Sequence, residues 1–115
     1  PSPAAHAPPG PNERAQAAQL ATDAVQAVIL GELLRAQELL LRASELDPSS
    51  AELAYRHARV LEDLASHEEA ILEYCRALAL GSEHAGIRDA RSRLDTLYEI
   101  VRERIPPAAR DAFVA

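Results

Sequence analysis

Catalysis needs polar side chains gathered at one point, and this sequence offers few that could be. The four histidines, His6, His57, His67 and His84, share no metal-ligand spacing, and the single cysteine, Cys75, has no Cys or His three or four residues away. Lacking a polarising neighbour, Cys75 is expected to be a partly buried, inert thiol and not a nucleophile. The doublets Glu62-Asp63 and Glu68-Glu69 place carboxylates together as an acid/base pair would. Adjacent residues on a helix point apart, however, so these read as solvated surface. The four glycines never cluster into a phosphate-cradling loop, and no Gly-x-Ser-x-Gly elbow is present. No catalytic, metal-binding or cofactor-binding residue is predicted, and the chain reads as a non-enzyme.

The bulk properties narrow the partners. A net charge of −6 argues against nucleic acid, whose binding rests on neutralising phosphates. No run approaches the roughly 20 apolar residues of a membrane helix, so insertion is not expected. The chain opens Pro-Ser-Pro without a basic start or an apolar stretch, so no signal peptide is expected either. All twelve basic residues are arginine, a bias expected of a GC-rich and bacterial genome. Abundant alanine and leucine with only three tyrosines and one phenylalanine give an all-α composition.

The elements that would position any site repeat themselves. The stretch from Gly31 to Pro48 is echoed from Ala65 to Ser82: Ala36 matches Ala70, Leu40 matches Tyr74 and Ala43 matches Ala77, each 34 residues apart. A period of that length marks a helix-turn-helix unit stacked on its copy. Residues 1–11 hold five of the eight prolines and read as an extended tether. Asn12 offers an N-cap for a first helix, which Gly31 ends; a second runs from about Glu32 to Leu46, stopped by Asp47-Pro48. Ser49 or Ser50 caps a third that reaches about Leu64, and a fourth spans Glu68 to Leu80 with Gly81 as its stop. Residues 85–105 then form one long amphipathic helix with the stripe Ile87, Ala90, Leu94, Leu97, Tyr98, Val101 and Ile105. Its other face is charged (Arg88, Asp89, Arg91, Arg93, Asp95, Arg102, Glu103), so it is expected to close the stack. Residues 106–115 read as the truncated start of a further helix.

These residues resemble the tetratricopeptide repeat family, with repeat one at 12–50 and repeat two at 51–84. Its small residues fall on Ala24, Ala36 and Ala43, then on Ala58, Ala70 and Ala77; its large one falls on Leu40 and Tyr74, and its terminal proline on Pro48. Asp23, His57, Ala54 and Ser82 depart from the family pattern. The resemblance implies an all-α helical-repeat fold, an α-solenoid of two helix-turn-helix repeats plus the closing helix. It also implies a structural role for His67, at a turn position where the family packs a ring.

In that family the first helix of each repeat lines a concave groove. The resemblance places Ala18, Ala21, Val25, Val28 and Ile29 on one wall, and Glu52, Tyr55, Arg59, Glu62 and Asp63 on the other. Those offsets share one helical face, so the geometry agrees. The family's grip on a C-terminal carboxylate uses Lys and Asn where this chain has Ala21, Val25 and Arg56, so a co-chaperone role is not expected. The expected function is non-catalytic binding of a protein or peptide partner, an extended peptide or helix with an apolar anchor beside a charge. Self-association into a homo-oligomer and a passive spacer within a larger protein are the alternatives.

Overall fold

The computed structural model describes residues 8–81 and 86–104. Over them the chain folds into five helices and no strand: α1 Pro11–Ile29, α2 Leu33–Leu46, α3 Ala51–Asp63, α4 His67–Leu80 and α5 Ile87–Glu103. Residues 1–7 of the expected tether, His6, Ser82, His84, Ile105 and the helix expected at 106–115 lie outside the described residues. No described helix is long and apolar enough to cross a membrane.

The first helix starts earlier than Asn12. Gly10 is its N-cap and Pro11 its first residue, where the missing N–H costs no hydrogen bond. Glu13 reaches back to accept from the Gly10 N–H at 2.9 Å, leaving Asn12 inside the helix. Ser50 caps α3 as expected, its Oγ accepting from the Leu53 N–H at 3.2 Å. Gly81 does stop α4, but in extended backbone (φ −151°) rather than the left-handed conformation.

The two turns inside the hairpins are copies of one another. Leu30 and Leu64 end α1 and α3 at φ/ψ of −82°/−2° and −83°/1°. Gly31 (φ 78°) and Ala65 (φ 59°) then turn through the left-handed region, and Glu32 and Ser66 lead into the next helix at −87°/70° and −86°/71°. The hydrogen bonds recur as well. Glu32 N–H donates to Ala27 O at 2.8 Å, and Ser66 N–H to Leu61 O at 2.9 Å. Every corresponding pair is 34 residues apart. Turns this short make the paired helices antiparallel.

Alanine sets how closely the helices approach. The fully buried positions of α1 are Ala17, Ala21, Ala24 and Ala27, facing Ala36, Leu39, Leu40 and Ala43 of α2. Leu53 and Val60 of α3 complete that core. A second core holds Ala58, Leu61, Ala70, Ile71, Tyr74, Ala90 and Leu97, in which Tyr74 and Leu97 are the largest fully buried side chains. The aromatic ring fills the space that small neighbours leave, as dense packing requires.

Helix α5 packs on α4 through Ala90 and Leu97, with Leu94, Ile100 and Val101 half-buried beside them. It spans 17 residues, fewer than 85–105 would give. Tyr98, expected in the stripe, is 46% exposed, and Ile100 packs against the core in its place. The face assigned to solvent is also divided: Asp89 and Arg93 turn inward toward α3. Cys75, expected to be partly buried, is exposed.

Candidate functional site

An open groove of about 340 Å³ runs between α1 and α3. Ala21, Ala24, Val25, Val28 and Ile29 supply one wall, Leu40 and Val60 the floor, and Tyr55, Arg56, Arg59 and Asp63 the other wall. Seven of the ten residues expected on the groove walls therefore meet around one hollow, with Arg56 beside them, while Ala18 does not line it. Glu52 lies in a second hollow that shares Ala21 and Arg56 with the first and adds Arg14, Ala18 and Asp47. There Glu52 accepts from Arg56 Nη2 at 2.9 Å across one helical turn. Glu62, the tenth, is absent from both linings and faces away.

Glu62 belongs to a polar network that fastens α5. Its Oε1 accepts from the Tyr74 hydroxyl at 2.8 Å and its Oε2 from Arg93 Nη1 at 3.1 Å. Arg93 Nε also donates to Asp89 Oδ2 at 2.8 Å, and the Tyr55 hydroxyl donates to that same oxygen. Arg59 completes the set, donating to the Tyr55 oxygen at 3.1 Å and lying 3.6 Å from Asp89. Burial and the Glu62 carboxylate beside it hold the Tyr74 phenol far above its ordinary range. The Tyr55 hydroxyl, with Arg93 and Arg59, holds the Asp89 carboxyl below the usual aspartate range despite the opposing effect of burial. Tyr55 and Arg59 thus face the groove while their polar ends serve the α3–α5 contact.

Two polar clusters lie apart from the groove. His57 is buried where α2, α3 and α4 meet, with Nε2 3.4 Å from Gln37 Nε2 and Nδ1 3.6 Å from Glu73 Oε2, too far for a hydrogen bond. Burial would raise the Glu73 carboxyl, but His57 and the hydrogen-bonded Arg76 guanidinium outweigh it and hold the group low. Arg76 also bridges the hairpins, donating to Pro48 O at 3.2 Å and Ser44 Oγ at 3.3 Å. His67, expected to be structural, contacts Arg104 at 2.6 Å through Nδ1 and joins the end of α5 to the start of α4. Among the described residues no cluster of His, Cys, Asp and Glu is arranged to hold a metal.

The inward turn of Asp89 and Arg93 left no apolar mark in the sequence. The available signal was the run of like spacing, Asp89 and Arg93 at i and i+4, opposite an equally spaced Tyr55 and Arg59. The family resemblance places Val25, Val28 and Ile29 on one wall, and in the structure they are apolar residues left exposed once the alanines of α1 have taken the buried face.

No protein-family model matches the chain, and no curated protein matches it either. The described residues define an all-helical protein, and the geometry of its groove carries the functional reading.

Proposed function

We propose that the chain is a tetratricopeptide-type helical-repeat module whose function is non-catalytic protein–protein interaction. The 34-residue recurrence of turn geometry supports the repeat reading. The binding reading is carried by one observation, the open groove whose apolar wall stays accessible. Val25 and Val28 are 42% and 40% exposed there, and Ile29 is 71% exposed. Isoleucine and valine at the mouth of a hollow are unfavourable unless something covers them. Across from them Arg56 and Asp63 offer charges of both signs, so a segment with an aliphatic anchor beside a charged residue fits.

The structure decides which variant tests this. Substituting Tyr55 or Arg59 would disturb the contact with α5, whereas Val28 and Arg56 line the groove without holding α5. A random-peptide display library panned against the chain and against its Val28→Glu/Arg56→Glu variant is the experiment. Peptides with an aliphatic anchor should be enriched by the first and lost by the second. No enrichment, or equal retention by both, would overturn the reading.

A further inference from the structure

We propose that the occupant of this groove is a second copy of the chain, with the α1–α2 corner of each copy seated in the groove of the other. The inference rests on the reading of the groove as a protein-binding surface. Ile29, Leu30 and Leu34 form that corner and are 71%, 69% and 73% exposed. Ile29 also lines the groove, so projection and hollow adjoin on one molecule. A two-fold contact requires this, because the same patch on each subunit must supply both halves of the fit.

Charge at the corner favours a like partner. From Ala24 through Gly31 the chain carries no charged residue, although its net charge is −6. The charges nearest the contact, Glu32 and Arg35 at the corner and Arg56, Arg59 and Asp63 in the groove, are of both signs, so a corner seated in the partner's groove meets less net repulsion than the acidic remainder of the surface would impose.

A further stacked hairpin does not fit the same position. Helix α3 meets the first hairpin through Leu53 and Val60, which join its core, and through His57, which touches Gln37. The corresponding residues of α1, 34 positions earlier, are Gln19, Asp23 and Gln26. Gln19 Nε2 donates to Asp23 Oδ1 at 3.0 Å, so this edge of α1 has polar groups that satisfy each other. A terminal unit of a stack has such an edge. Within the first hairpin the most exposed large apolar side chains are Ile29, Leu30 and Leu34 at the corner, a footprint for a compact reciprocal contact and not for another layer.

Sedimentation equilibrium of the whole chain, from about 5 to about 500 µM, tests the proposal over the range of weak to moderate association. The mass should climb from 12.4 kDa toward twice that value. Higher salt should strengthen the association, because it screens the net charge the copies share. Leu34→Glu on the projection and Val28→Glu in the hollow should each hold the mass at 12.4 kDa, with unchanged helical circular dichroism. A wild-type chain that stays at 12.4 kDa at the highest concentration overturns the proposal, as does association that survives both substitutions. Leu34 lies outside the groove lining, so peptide selection by Leu34→Glu reads the groove separately. Peptide capture without self-association would sink the second copy as occupant and leave the groove reading standing; the loss of both would sink both.

Discussion

Gly31 and Ala65 occupy the same point of two nearly identical turns, and only one of them is suited to it. Both have positive φ, 78° and 59°. A left-handed backbone costs an L residue about 1–2 kcal/mol, while glycine escapes that cost but gives up about 0.5–1 kcal/mol through its freer unfolded chain. Ala65→Gly should therefore stabilise the protein by about 0.5–1 kcal/mol. Gly31→Ala should destabilise it by a similar amount, and through the backbone alone, because a Cβ placed there meets no atom within 4 Å. The two sites are in different hairpins, so the effects should add and the double variant should return close to wild type. Urea denaturation followed by far-UV circular dichroism measures both shifts, and the slope of the transition should not change. A destabilised Ala65→Gly, or a Gly31→Ala of undiminished stability, would refute the argument that these turns are equivalent and that φ governs their cost.

Two further expectations concern the attachment of α5. Leu97→Ala removes a side chain with no exposed surface and should cost about 3 kcal/mol, read as a lowered urea midpoint; a change below about 1 kcal/mol would remove Leu97 from the core. Acid should loosen the same helix. Asp89 is held below the ordinary aspartate range by Tyr55, Arg93 and Arg59, so the stability it contributes is present above about pH 4 and is lost as pH falls through its lowered folded value. Stability measured from neutral pH downward should fall more steeply for the wild type than for Asp89→Asn in that window, and equal slopes would exclude Asp89 from the acid response.

Much of the fold could be read because repetition writes the same constraint twice. Ala36 with Ala70, and Ala43 with Ala77, had to be small at the same points of two hairpins, and all four are fully buried. Tyr74 announced its role by standing where Leu40 stands in the first copy. Errors gathered where a side chain serves two surroundings. Asp89 and Arg93 look like solvent-facing residues by polarity, yet a half-buried ion network satisfies their charges against α3. Tyr98 looks like a core residue by apolar spacing, but α5 presents Ile100 and Val101 on that side. Glu62 falls on the groove-facing helical spacing, and the Tyr74 hydroxyl and Arg93 draw its carboxylate elsewhere. Gly10 escaped notice as a cap because its contribution is a backbone N–H that Glu13 captures, invisible in a residue with no side chain.

The all-alanine seam of α1 has a consequence for how the groove behaves. A methyl group removes little apolar surface from water, so four alanines and the half-buried Leu20 give α1 less buried apolar volume than the leucines give α2 and α3. The opposite wall is anchored differently, by leucines, a buried histidine and the Tyr74–Glu62–Arg93 network. The hollow therefore has one stiff side and one slack side. Local opening of the chain should begin at the slack one, where the free energy of separating the helix is smallest. Anything that fills the space beside Val25 and Val28 adds to α1 the apolar contact its own sequence withholds, so occupancy of the groove and the firmness of its weaker wall rise together.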